Sequence, residues 1–190
     1  SLIAQAKGYD DAVILGRGDP DLDTPDHIIA TVGAAIESGE QVESPVTGLP
    51  ELREAIAERV RRVNNIDVDP ETEVVVTNGG QEAVFLTVNG VLEPQDEILV
   101  PMPTYNSYID AIQFSGGVAV AVPTSVENGF HINTERVREA VTEKTKCLLM
   151  VSPNNPTASV IDPPTVQSLV DIAVENDLTI IADEIYDQFL

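Results

Sequence analysis

The chain has 190 residues, 43% of them hydrophobic and 4% aromatic, which is typical of a globular protein able to bury a core. It carries 32 acidic and 10 basic residues, and the net charge of −22 argues against nucleic acid or an anionic membrane as a partner. No apolar run approaches the roughly 20 residues that span a bilayer, and the amino-terminal residues lack a signal-peptide pattern.

Two helices are predicted in the first third of the chain. Thr24-Pro25-Asp26 indicates a helix start, with Thr24 as the capping hydroxyl and the proline in the first turn. Gly48-Leu49-Pro50-Glu51 opens a second helix, which an amphipathic pattern continues through Arg62.

From residue 73 onward, strand and helix patterns alternate. The predicted strands are Glu73–Thr77, Glu97–Val100, Gly117–Val122, Lys146–Val151 and Leu178–Asp183. The predicted helices are Gln81–Leu92, Asn106–Phe114, Asn133–Val141 and Pro164–Glu175. This alternation predicts an α/β fold with a doubly wound, mostly parallel sheet and flanking helices. Residues 45–190 are expected to form one domain, with residues 1–44 as an amino-terminal arm and helix laid against it.

Polar clusters follow the last two predicted strands. Ser152-Pro153-Asn154-Asn155-Pro156-Thr157 comes after one strand, and Asp183-Glu184-Ile185-Tyr186 ends the other. Because the carboxyl ends of parallel strands meet at one edge, we expect Asn155, Asp183 and Tyr186 to lie together. An amide, a carboxylate and a phenol can hold a polar aromatic heterocycle there. The alternatives are a turn-capping role for Asn155 and a helix-capping role for Asp183, whose buried carboxylate requires a partner.

Two further segments are predicted to reach the same edge. Thr77-Asn78-Gly79-Gly80-Gln81 leads from a strand into a helix, whose free N–H groups favour a phosphate, although a Gly-Gly turn can also be purely geometric. Prolines end the strand before Tyr105, whose ring can either stack on a flat ligand or pack at the corner.

These motifs, in this order, resemble those of fold-type I pyridoxal-phosphate enzymes, in particular the aspartate-aminotransferase superfamily (class I/II), whose members carry SPNNPTG and DE-x-Y. The resemblance extends from about residue 14 to residue 190 and implies pyridoxal 5′-phosphate as the cofactor. It places the cofactor phosphate on Gly79, Gly80 and Gln81, and the ring of Tyr105 over the pyridine. It makes Asn155 and Tyr186 donors to the phenolic oxygen, Asp183 the partner of the ring nitrogen, and Asp183 and Tyr186 catalytic.

The segment Gly16–Pro25 resembles the family's GxPDFxTP motif, which implies that Gly18 meets the substrate carboxylate together with Asn155. A dinucleotide-binding loop is rejected here because Asp21 stands where the third glycine is needed. Three residues depart from the family pattern: Leu22 replaces phenylalanine, Ala158 replaces glycine, and Glu43 replaces a tyrosine that reaches the neighbouring subunit's cofactor phosphate.

The resemblance implies transfer of an amino group between an α-amino acid and a 2-oxo acid, by a homodimer with active sites between its subunits. A lyase of the same fold and a non-catalytic aminotransferase-like binding or sensor domain remain open alternatives. Family members place the Schiff-base lysine, and later arginines for phosphate and substrate, after DE-x-Y. We therefore expect these residues beyond Leu190, and expect the 190-residue chain to be inactive by itself. Lys7, Lys144 and Lys146 are poor substitutes.

The cysteine, histidine and acidic residues of the sequence give three further expectations. Cys147 is the only cysteine and lies in an apolar segment, which favours a reducing, cytoplasmic location. His27 and His131 are far apart in sequence, so no metal site is predicted. The scattered acidic residues are consistent either with a merely solubilising surface or with adaptation to high salt.

Overall fold

The computed structural model describes residues 8, 9, 11, 13, 22–39 and 44–190, and the chain divides into two units, residues 1–45 and 46–190. The first unit contains helix α1, Asp26–Glu37. The predicted capping role of Thr24 is wrong, because Pro25 occupies the N-cap position and no side chain caps the helix. The carbonyl of Pro25 instead accepts the first helical hydrogen bond, from the N–H of Ile28 at 2.9 Å.

A four-stranded parallel sheet is the centre of the second unit. Its strands are β1 (Glu97–Met102), β2 (Val118–Pro123), β3 (Thr145–Val151) and β4 (Thr179–Asp183), in the order β2-β1-β3-β4. In the register, Leu99 lies between Val120 and Leu148, and Val151 pairs with Asp183. The carboxyl ends of β1, β3 and β4 therefore meet at one edge, as the sequence predicts.

Helices cover both faces of this sheet. The helices of this unit are α2 (Pro50–Asn64), α3 (Gly80–Val91), α4 (Asn106–Phe114), α5 (Thr134–Ala140) and α6 (Pro163–Glu175), of which α3 to α6 contribute to the core clusters against the sheet. Asp162 caps α6 by accepting the N–H of Thr165 at 2.9 Å, and Asn133 caps α5 by accepting that of Arg136 at 3.1 Å. Short 3₁₀ turns occupy Val126–Asn128 and Asp187–Phe189.

The core divides according to the alternation of side chains along the strands. Ile98 and Val100 of β1 belong to a cluster that includes Val88 of α3 and Ile112 of α4. The intervening Leu99 belongs to a second cluster. The partners of Leu99 there include Val137 of α5 and Leu169 and Ile172 of α6. Helices thus pack on both sides of a parallel sheet, and the predicted α/β fold class is confirmed.

One predicted strand is wrong. In the described part of the chain, Glu73–Thr77 pairs with no other strand, although the N–H of Val76 donates to the carbonyl of Thr47 at 2.9 Å. Its run of three valines predicts extended backbone, but a strand also needs a hydrogen-bonded neighbour. The other predicted strands and helices of this unit agree with the structure to within two residues at each end. None of the helices seen in the described ranges has both the length and the apolar character needed to cross a membrane.

Candidate functional site

A cleft of about 260 Å³ opens at the carboxyl edge of the sheet. The loops after β1, β3 and β4 and the first turn of α3 enclose it. Its lining includes Gly80, Gln81, Tyr105, Tyr108, Asn155, Asp183 and Tyr186. The structure thus brings together most of the residues singled out by sequence, and Gly79 directly precedes α3. Gly18, singled out for the substrate, and Glu43 lie outside the described residues.

Asp183 is the last residue of β4, and both oxygens of its carboxylate accept hydrogen bonds. The phenol of Tyr108 donates to Oδ2 at 2.7 Å, and the backbone N–H of Ile185 donates to Oδ1 at 3.0 Å. Its own carbonyl accepts the N–H of Ser152 at 3.1 Å, which ties the loop after β3 to β4. Among the described residues no cation pairs with this carboxylate, so its negative charge is available to a ligand in the cleft.

Tyr108 is the site residue that sequence reasoning missed. It lies in the first turn of α4 and is only 6% exposed. Burial, and then the hydrogen bond to Asp183, raise the pKa of Tyr108 well above its usual value, so its phenol stays protonated. The available sequence signal was that Tyr108 follows Tyr105 by three residues, because residues three apart share a helix face. The ring centroids of Tyr105 and Tyr108 are indeed 6.0 Å apart.

Asn155 and Tyr186 meet across the cleft. The amide of Asn155 donates to the phenolic oxygen of Tyr186 at 3.4 Å. The turn that carries Asn155 is closed by two backbone hydrogen bonds of Asn154, from its N–H to Ser159 at 2.9 Å and to its carbonyl from Ala158 at 2.8 Å. The amide and the phenol are therefore neighbours, and they can converge on a single acceptor.

The first turn of α3 provides the anion-binding part of the cleft. Gly79 has φ +84°, and a Cβ added at Gly79 or Gly80 would meet no atom within 4 Å, so the space beside both is open. The first N–H groups of a helix have no acceptor within the helix and attract anions. The carboxylate of Glu82 accepts hydrogen bonds from the backbone N–H and the side-chain amide of Asn78. Neither of these bonds uses the N–H groups of Gly80 and Gln81.

The described lysines lie away from this cleft. Lys144 precedes β3 and Lys146 is its second residue, whereas the cleft lies beyond its last residue, Val151. At about 3.3 Å per residue, Lys146 is about 17 Å from that end along the strand. Lys7 is outside the described residues. Nor do the described residues contain a group of three His, Cys, Asp or Glu side chains that could hold a metal ion.

Comparison with known proteins gives a consistent result. Residues 10–190 match the family described as aminotransferase class I and II. Aspartate aminotransferase of Pyrococcus abyssi is 43% identical over 185 residues, which is 97% of this chain and 48% of that protein. Aspartate/prephenate aminotransferase of Thermus thermophilus is 44% identical over 180 residues, 95% of this chain and 46% of that protein.

Solved structures agree with these relatives. Aspartate aminotransferase from Thermus thermophilus with maleate has a TM-score of 0.93 at 43% identity, and the match covers 100% of this chain and 49% of that chain. The chain thus spans about half the length of the proteins it matches, and it corresponds to their amino-terminal half.

Proposed function

The chain belongs to the class I and II aminotransferases, a fold-type I family that depends on pyridoxal phosphate, and from that premise we propose that it forms the amino-terminal half of such an enzyme. The complete protein would transfer an amino group between an α-amino acid and a 2-oxo acid. The observation that carries this proposal is Asp183, a carboxylate without a cationic partner among the described residues, in one cleft with Asn155, Tyr186 and the start of α3.

The residues of the cleft fit pyridoxal 5′-phosphate. The open first turn of α3 suits the phosphate, with Gly79, Gly80 and Gln81 supplying backbone N–H groups. The aromatic face of Tyr105, which is 39% exposed, suits a flat ring. Asn155 and Tyr186 suit the phenolic oxygen, since their polar groups already lie together.

When bound, the cofactor supplies an electron sink for the bond broken at the substrate Cα. Asp183 would hold a proton on the ring nitrogen by placing a negative charge beside it, which is its proposed catalytic role. Tyr186 and Asn155 would orient the ring through the phenolic oxygen, and the resemblance assigns the substrate carboxylate to Asn155 and Gly18. The group that moves the Cα proton is assigned to a lysine in the half of the relatives that this chain does not cover.

The wider organisation is part of the same proposal. Residues 45–190 would be the first part of the cofactor domain and residues 1–44 its amino-terminal arm. A homodimer follows from the resemblance, because the family's active sites form between two subunits. The proposed cytoplasmic location is supported by Cys147, the only cysteine of the chain, which is free and buried.

The decisive experiment replaces the carboxylate. In the complete protein, Asp183→Ala should retain the fold but reduce turnover by about 100-fold or more, since the charge beside the ring nitrogen is lost. Turnover is measured with aspartate and 2-oxoglutarate, then with an aromatic donor. Asp110→Ala, which removes an exposed acid of α4, is the matched control. Turnover of Asp183→Ala within about threefold of wild type would contradict the assignment.

The reaction type is tested separately by following both products. A transferase forms one new amino acid for each 2-oxo acid produced from the donor. Release of ammonia or carbon dioxide without a new amino acid would identify a lyase and reject the proposed transfer.

A further inference from the structure

We propose that Tyr108 is a positioning residue of the cofactor site, whose phenol sets the orientation of the Asp183 carboxylate. This inference rests on the proposed function, because it assigns to Tyr108 an effect on the group that Asp183 would hold.

The hydroxyl of Tyr108 is held in place by the core. The side chain is 6% exposed and belongs to the cluster that contains Val88, Ile112, Leu149 and Ile181. Its backbone is in the first turn of α4, while Asp183 closes β4. The 2.7 Å hydrogen bond between them therefore joins two rigid elements, and neither partner depends on a mobile loop for its position.

Each oxygen of the Asp183 carboxylate accepts a hydrogen bond from a different donor. Oδ2 accepts from Tyr108 and Oδ1 accepts from the N–H of Ile185, so rotation of the carboxylate would break both bonds. A carboxylate oxygen has two acceptor positions, and each oxygen thus keeps one for a ligand. Both Tyr108 and Asp183 line the cleft, so the carboxylate is fixed in one orientation at its surface.

Both hydrogen bonds of Asp183 end on a carboxylate, and such charge-assisted bonds are roughly twice as strong as neutral ones. They therefore hold the carboxylate in the orientation that a ring nitrogen in the cleft would meet. Tyr108 itself neither gives nor takes a proton at neutral pH, because burial and Asp183 raise its pKa. Its effect should therefore be the same from about pH 6 to about pH 9.

The other tyrosines of the cleft have different partners. The phenolic oxygen of Tyr105 accepts from Gln81 at 2.8 Å, and that of Tyr186 accepts from Asn155 at 3.4 Å. Of these three phenols, Tyr108 is the one that donates to Asp183. Removal of its hydroxyl as Tyr108→Phe keeps the ring in the core and deletes only that donor.

The test is a double-mutant cycle on the complete protein, with Tyr108→Phe, Asp183→Ala and the double variant. The probe is pyridoxamine 5′-phosphate, which forms no covalent bond to lysine, and its Kd is measured by equilibrium dialysis on cofactor-stripped protein. Tyr108→Phe should raise the Kd by about 5- to 20-fold, as expected for a hydrogen bond to a charged group. In the Asp183→Ala background the same change should alter the Kd by less than about twofold.

The control and the contrary outcomes are equally specific. Tyr9→Phe removes the hydroxyl of a residue that is 69% exposed, and it should leave the Kd unchanged. Equal weakening in both backgrounds would mean that Tyr108 acts only through packing and would overturn the inference, as would a Kd of Tyr108→Phe equal to wild type. Failure of the wild type to bind the probe would overturn the proposed function as well. Weakening by Asp183→Ala but not by Tyr108→Phe would overturn this inference alone.

Discussion

The side-chain amide of Gln81 donates to the phenolic oxygen of Tyr105 over 2.8 Å, which ties the first turn of α3 to the loop after β1. Resemblance assigns Gln81 to the cofactor phosphate and Tyr105 to the ring. The structure adds that one N–H of the Gln81 side-chain amide is donated to Tyr105, which leaves its second N–H and its backbone N–H for the proposed phosphate contact. The phosphate end and the ring end of the cleft are thus coupled through one hydrogen bond.

Removal of either partner should weaken cofactor binding to the same extent. Gln81→Ala and Tyr105→Phe each delete the bond, and we expect each to raise the Kd of pyridoxamine 5′-phosphate by about 3- to 10-fold. The double variant should be no weaker than the worse single variant, because both changes remove one interaction. Gln167→Ala, at an exposed position of α6, is the control. Additive losses would show that the two residues act independently.

Gly48 is predicted to be essential for stability. It has φ +99°, and a Cβ there would lie 2.4 Å from Cγ2 of Val76. Gly48→Ala combines overpacking with an unfavourable backbone conformation, and it should lower the free energy of unfolding by about 2–4 kcal/mol in a urea titration. The matched control is Gly90→Ala in α3, where no atom lies within 4 Å of the added Cβ. That change should instead raise stability by about 0.5–1 kcal/mol; equal effects of the two would contradict the packing argument.

Ala158 occupies a conformation that favours glycine. Its φ is +56°, in the turn that carries Asn155, and the resembled family has glycine at this position. Ala158→Gly should remove about 1 kcal/mol of backbone strain, partly offset by the greater freedom of glycine in the unfolded chain. We expect a net gain of about 0.5 kcal/mol, measured by urea titration. The control is Ala55→Gly at an exposed position of α2, which should lower the free energy of unfolding by about 1 kcal/mol. A decrease for Ala158→Gly as well would contradict the proposed backbone strain.

Much of this fold follows from the sequence because its signals are local. Apolar strands such as Lys146–Val151, and helix starts with Pro and Asp such as that of α6, encode the elements with little help from tertiary structure. The parallel arrangement then places Asn155 and Asp183 at one edge without further information. Asn155, in the loop after β3, and Asp183, at the end of β4, are therefore predictable neighbours in one cleft.

The remaining features depend on contacts that one sequence does not encode. Glu73–Thr77 has the β-branched residues typical of a strand, yet pairing depends on a neighbouring strand. In the sequence Tyr108 looks like a core residue of an amphipathic helix. Only the position of α4 relative to the end of β4 shows that its hydroxyl reaches Asp183. The strain at Ala158 is likewise visible only in the backbone dihedral, since alanine gives no warning of a positive φ.

The acidic composition predicts a dependence of stability on salt. A net charge of −22 with 32 acidic residues implies repulsion among carboxylates, which salt screens because the Debye length falls from about 10 Å at 0.1 M to about 3 Å at 1 M. If this charge reflects adaptation to high salt, the Tm of the complete protein should rise steeply between about 0.1 and 2 M KCl. The rise should shrink at about pH 5, closer to the isoelectric point of about 4.1, where fewer carboxylates are ionised. A flat or falling Tm at pH 7.5 would instead support a surface that is acidic only for solubility.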